Sequence, residues 1–128
     1  MKYVYPAIFR CAINEGKGGY YVEFPDLGVF TFGETLYEAI YMAEDLLALE
    51  FICHEDFRAG TLTDIKGNKI EDWNETILPP TPIKTLIADL DKYSSEEFIE
   101  DSTDAFVILI RADTEVHRLL WAQMSLLL

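Results

Sequence analysis

Positive charge is scarce in this sequence. Ten Lys and Arg face 23 Asp and Glu, a formal net charge of −13. Such a chain repels nucleic acid at long range unless its few cations cluster. They do not: Arg10, Lys17, Arg58, Lys66, Lys69, Lys84, Lys92, Arg111 and Arg118 are scattered. Direct DNA or RNA binding by this chain alone is disfavoured, and a basic protein partner suits the charge better. Solubility alone is the plainer use of such acidity. Long apolar runs are missing too. No stretch reaches about 18 apolar residues and no signal-like segment marks the N-terminus, so the expectation is a cytoplasmic protein without membrane contact. The two cysteines, Cys11 and Cys53, read as reduced, buried thiols.

Catalytic patterns are also lacking, and each lack excludes a chemistry. Cys53-His54-Glu55-Asp56 places metal-ligating types side by side, but adjacent side chains on a helical turn do not converge on one ion. His117 stands alone and reads as a helix-surface residue. Gly16-Lys17-Gly18-Gly19 precedes a strand rather than a helix, so it is not a phosphate loop. No Ser-His-Asp set or glycosidase-like carboxylate pair is evident. The sequence therefore predicts no catalytic residue, no metal site and no cofactor.

What the chain does contain is organised around residues 19–45. Tyr20, Val22 and Phe24 alternate with Tyr21 and Glu23, the period of a half-buried strand. Pro25-Asp26-Leu27-Gly28 is a turn, and Val29 to Phe32 resumes the extended pattern before Gly33. Thr35 precedes Glu38 at capping-box spacing, and Leu36, Ala39, Ile40, Ala43 and Leu47 line one face of the helix that follows, to about Cys53. A second stripe, Tyr37, Tyr41, Ala48 and Ile52, needs cover from later chain or from another subunit.

Lys2 to Ile13 reads as a first strand, with Pro6 confined to an edge, a bulge or the strand's start. Residues 14–19 form a hairpin loop. From His54 the chain is long and mostly polar, with a short hairpin of 61–65 and 70–73 around Lys66-Gly-Asn-Lys69. Leu78-Pro-Pro-Thr-Pro82 is a semi-rigid connector. Residues 83–90 suit a short helix, Ser94-Ser-Glu-Glu97 starts another, and 100–104 is exposed turn. Ala105 to Arg111 is a nearly continuous apolar run, expected as a strand buried on both faces. Following a crossover with a helix, it is expected to lie parallel to the first strand. Thr114 caps a C-terminal helix whose Met124 and Leu127 should pack on the core or on a second copy.

The fold class is therefore α+β. An antiparallel meander is joined by a fourth strand parallel to the first, in the order third, second, first, fourth, with a helix on one face. One domain of 128 residues suffices, with a core at 3–53 and 105–121 and a connector at 54–104.

With these residues placed, the sequence resembles the HicB-like antitoxin family. The resemblance rests on Tyr5-Pro-Ala-Ile-Phe9, Gly19-Tyr-Tyr-Val-Glu-Phe-Pro-Asp-Leu27, Thr31-Phe-Gly-Glu-Thr-Leu36 and Glu38-Ala-Ile-Tyr-Met-Ala-Glu-Asp45. More loosely it extends to Phe106-Val-Ile-Leu-Ile and Asp113-Thr-Glu-Val-His-Arg-Leu-Leu-Trp121. It implies a partial ribonuclease-H-like core and the neutralisation of a small basic mRNA ribonuclease, HicA. The turn lacks the family's extra proline and cysteine, residues 83–104 are unusual, and the stretch after Trp121 is too short for a DNA-binding module. Two-metal cleavage would need a carboxylate on the first strand, and residues 3–13 hold neither Asp nor Glu. The expected toxin-binding residues are Tyr21, Glu23, Asp26, Leu27 and Glu34. Homodimer or higher oligomer contacts are expected at Tyr37, Tyr41, Met124 and Leu127. Two other readings compete: a stand-alone oligomeric module without a toxin, and single-stranded RNA binding by Tyr3, Tyr5, Tyr20 and Tyr21.

Overall fold

The computed structural model describes residues 1–12, 18–73 and 76–127, the last three of these as backbone only. Most of the loop expected at 14–19 lies outside these residues, as does the Leu127 side chain. Strands β1 (Lys2–Ala12), β2 (Tyr20–Phe24) and β3 (Val29–Gly33) form the expected antiparallel meander, followed by helix α1 (Leu36–Ala59). Two short helices, α2 (Ile83–Ala88) and α3 (Glu96–Glu100), precede β4 (Ser102–Asp113) and α4 (Thr114–Leu127). The sheet order is β3-β2-β1-β4, as expected.

Local chemistry explains the ends of these elements. At the hairpin tip, Gly28 takes φ 66° and its N–H reaches the Phe24 carbonyl at 2.9 Å. That left-handed conformation favours glycine. Thr35 Oγ1 accepts the Glu38 N–H at 3.1 Å, while the Glu38 carboxylate accepts from Glu34 N–H rather than closing back on Thr35. Helix α1 runs six residues past the expected Cys53, because nothing in His54 to Ala59 breaks a helix. It stops at Gly60, whose φ of 74° is a left-handed cap. Pro6 precedes the β1–β2 pairing, which runs from Ile8 to Cys11, so β1 is locally bonded to β4 alone.

One sheet face packs on α1. Tyr5, Ala7, Phe9, Val22, Phe24, Ile110 and Ala112 meet Ala39, Ala43, Leu47 and Phe51, and Tyr3 stacks on Phe51 at 3.8 Å. The register fixes the other face. Ile8 pairs with Glu23, Arg10 with Tyr21, Glu23 with Phe30 and Tyr21 with Phe32, so these six point away from α1. Both Phe30 and Phe32 therefore lie outside the α1 core. Yet Ile8 is fully buried and Arg10 is 5% exposed. Their cover is a strap, residues 83–100, running from α2 to α3.

That second cover corrects several expectations. β4 is antiparallel to β1, not parallel, with Lys2 opposite Asp113 and Ala12 opposite Ser102. A single-helix crossover would return the chain to the start of β1. Here the connector passes over the outer face and is held near the end of β1, by Arg10 to Asp91 and by Tyr21 to Phe98. β4 must then begin beside Ala12 and run backwards. It also begins at Ser102, within the expected turn. Its Leu109 and Arg111 are exposed, so it is not buried on both faces. The expected hairpin at 61–73 reduces to one bridge, Thr63 with Lys69. Asp113, not Thr114, caps α4, accepting from the N–H groups of Glu115 and Val116.

Thr114 is instead buried and donates to Glu55 Oε2 at 2.8 Å. Tyr3 donates to the same oxygen at 2.9 Å, and Arg118 reaches Glu55 at 3.4 Å and Asp56 at 2.8 Å. Glu55 thus ties β1, α1 and α4 together. Burial alone would raise its pKa, but the bonds from Thr114, Tyr3 and Arg118 outweigh it and hold the carboxyl below its ordinary 4.5. Burial, then the hydrogen bond to Glu55, pushes Tyr3 up to about 12.

Because the folded chain binds the Glu55 proton less readily than the unfolded chain, this contribution is present above pH 4.5 and is lost as pH falls through the lower folded value. Glu55→Gln should cost about 1–2 kcal/mol at pH 7. Its stability difference from the parent should shrink on acidification, as read by urea unfolding across the acid range. A pH-independent difference would remove the carboxylate from that role.

Candidate functional site

The expected docking residues gather around the β2–β3 hairpin, but the protein's own chain already engages most of them. The Tyr21 ring stacks on Phe98 of α3 at 4.8 Å and tilts against Phe32 at 5.5 Å. Glu23 accepts from the Ser95 backbone N–H at 3.4 Å and from Ser95 Oγ at 3.3 Å. Burial raises the Glu23 pKa, against the lowering effect of those Ser95 bonds and of Arg10. Asp26, at the tip, accepts from the Thr81 N–H at 2.8 Å and from the Thr81 hydroxyl, so it anchors the proline-rich connector. Leu27 packs partly on the core. Of the five, Glu34 alone is exposed.

Sequence reasoning left residues 54–104 without a purpose, and that stretch supplies the missing half of the surface. Leu86 is fully buried under the sheet. Arg10 Nη2 reaches Asp91 at 3.0 Å and Ser94 Oγ at 3.0 Å, pinning the 3-10 turn Leu90–Tyr93. Phe98 packs edge-on against Phe30 at 5.3 Å. The available signal was indirect: Tyr21, Phe30 and Phe32 share one alternation phase, so three rings pointed outward with nothing assigned to cover them.

Two clefts flank the hairpin. One, of about 460 Å³, lies between the hairpin and α3, lined by Glu23, Phe30, Tyr93, Glu97 and Phe98 among others. The other, of about 440 Å³, lies between the hairpin tip and α1, lined by Asp26, Leu27, Glu50, His54 and Trp73 among others. In it His54 Nε2 stands 3.5 Å from Glu50, and the buried Trp73 indole N–H has no acceptor among the described residues.

The residues expected at a subunit contact are only partly brought together. Tyr41 and Met124 line a groove of about 240 Å³ between α1 and α4, with Asp45, His117, Leu120 and Trp121. Tyr41 is 57% and Met124 56% exposed, while Tyr37, at 84%, stands outside the groove lining. Later chain covers the other half of that helix stripe: Ala48 and Ile52 are buried, and Arg118 of α4 reaches the Ile52 carbonyl at 3.4 Å.

The RNA-stacking reading loses its platform, since Tyr3, Tyr5 and Tyr20 face the α1 core. Among the described residues, no group of three or more His, Cys, Asp or Glu could hold a metal ion. Asp113 caps α4 and Asp45 stands 3.8 Å from His117. Cys11 and Cys53 are free thiols, half-buried rather than fully buried, and burial pushes the Cys53 thiol up. Among the described residues, no helix is long and apolar enough to cross a membrane.

The fold as a whole has a solved counterpart. The fold is similar to a chain of the "Toxin-Antitoxin complex from Streptococcus pneumoniae", with a TM-score of 0.56 and 20% identity, covering 91% of this chain and 73% of that one. At that identity the likeness speaks for the fold. No family model and no curated protein matches the sequence.

Removing the Asp91 partner tests whether the outer cover depends on the buried guanidinium. Asp91→Ala leaves Arg10 with Ser94 as its remaining side-chain acceptor in the strap. Backbone amides of 94–99 should then exchange at least about tenfold faster, while those of β1 and β2 keep their rates. Unchanged exchange in the strap would show that its aromatic contacts suffice.

Proposed function

We propose that this protein is an antitoxin of the HicB-like kind, which binds and neutralises a small basic HicA-type mRNA ribonuclease. The observation that carries the reading is the pairing of a net charge of −13 with a fold similar to a chain of a toxin–antitoxin complex. The order of the motifs from Tyr5 to Asp45 supports it from the sequence side. Mechanistically, surface acidity steers a basic partner into encounter, and a few desolvated rings hold it. The hairpin with its strap offers both. Phe30 is 65% exposed, and Glu34 and Glu97 are exposed carboxylates on either side of the hairpin. Asp26 and Glu23 contribute negative potential while serving the fold, so Glu34 and Glu97 are the better probes of steering. The work of such a protein is occlusion, and it asks no catalytic group of this chain.

The same protein is proposed to pair with a second copy through the α1–α4 face. Tyr41, Leu120 and Met124 are exposed along the groove there, an apolar patch of the kind that marks an interaction site.

Co-purification and an mRNA-cleavage assay with a small basic protein encoded beside this chain test the first reading. The partner should bind and lose its ribonuclease activity; a partner that neither binds nor is inhibited sinks the reading. Glu34→Lys should slow association about two- to fivefold at low salt and leave dissociation nearly unchanged. For the second reading, Tyr41→Glu with Met124→Glu should convert a dimer to a monomer in sedimentation equilibrium. A parent chain that is monomeric at about 100 µM, which excludes a dimer with Kd below roughly 0.1 mM, would end it.

A further inference from the structure

We propose that the notch between the β2–β3 hairpin and α3 is a socket for one arginine side chain of a basic protein partner. This deepens the antitoxin reading and rests on it for the partner's identity. Five of its lining side chains carry the chemistry. Glu23 stands on the hairpin and Glu97 on α3, with the rings of Phe30, Tyr93 and Phe98 between them. At about 460 Å³ the space admits one long side chain with room to spare, within the range of small-ligand pockets.

The chemistry of the walls selects a planar cation. A guanidinium stacks on aromatic faces and pairs with carboxylates through a rigid fork of donors, whereas an ammonium is a compact, strongly hydrated point charge. Tyr93 already attracts a cation, with the Lys92 ammonium 5.6 Å from its ring centre. Among the described residues the Glu23 carboxylate receives only long bonds, from Ser95 at 3.3–3.4 Å, which leaves acceptor capacity for a stronger donor. Its partial burial makes the negative charge costly, a cost that the Ser95 bonds and Arg10 only partly offset, and its raised proton affinity reflects what remains. Phe30, 65% exposed and touching Phe98 edge-on, is a large apolar ring that such a side chain would cover. Half of the socket comes from the strap, so the strap helps to build the docking surface that it also covers.

The probe is N-acetyl-L-arginine amide, titrated into the isotopically labelled full chain and followed by NMR. N-acetyl-L-citrulline amide is the uncharged match and N-acetyl-L-lysine amide the ammonium match. The socket predicts saturable shifts concentrated at Phe30, Tyr93 and Phe98 with arginine and little change with citrulline. Glu97→Gln should weaken binding about threefold, and Phe30→Ala about two- to fivefold. Both positions are exposed, so neither change threatens the fold. Three results would each overturn the proposal: equal shifts with citrulline or lysine, shifts spread evenly over the acidic surface, or binding undiminished in both variants. Since the probe is an amino-acid amide alone, such a result removes the socket without touching the antitoxin reading. Conversely, failure of the ribonuclease assay leaves the arginine titration intact.

Discussion

A central strand that is apolar on both sides cannot be covered by one helix. β1 sends Tyr5, Ala7 and Phe9 toward α1 and Pro6, Ile8 and Arg10 the other way, and all six are buried. Leaving the second set in water would forfeit the burial of Ile8 and expose the rings beside it on β2 and β3, at about 25 cal/mol per Å² of apolar surface. The chain meets this requirement with residues 83–100, a strap that turns a two-layer arrangement into three layers. Arg10 is the point where the requirement is sharpest. A guanidinium at 5% exposure is tolerated because Asp91 and Ser94 supply acceptors, so the charge fixes where the strap must lie.

From that placement the rest of the topology follows. A strap held near the end of β1 delivers the chain to that end of the sheet, and β4 runs antiparallel as a result. Right-handed parallel crossovers describe chains that pass over one face with a single helix. This connector is long enough to traverse the other face first, and the rule does not govern it. On the far side, Glu55 gathers Tyr3, Thr114 and Arg118, so the start of β1 and the start of α4 share one carboxylate. Charge in the interior thus sets connectivity at both ends of β1.

The same placement redistributes function. Tyr21 and Glu23, from the alternation, and Asp26, from the turn, were expected at the docking face, and the register turns the first two away from α1. Outward from α1 is not outward to solvent, however, because Phe98, Ser95 and Thr81 stand over them. What remains open is a composite surface of hairpin edge and strap, in which Phe30 and Glu97 come from segments some sixty-seven residues apart. Periodicity shows which side a residue takes. It carries no information about a distant segment that will later lie on top of it.

The meander, the turn at Gly28, the Thr35 cap and the negative charge were all legible in the amino-acid sequence, because each depends on residues within a few positions of one another. The short helices at 83–88 and 96–100 were legible for the same reason. Three things were settled only in three dimensions: the direction of β4, the burial of Arg10 and the half-covered state of the docking face. Each depends on contacts between residues about seventy to eighty positions apart, such as Arg10 with Asp91 at a separation of 81 and Glu23 with Ser95 at 72. Contacts of that range compete on packing and charge satisfaction across the whole chain, a balance that local periodicity does not encode.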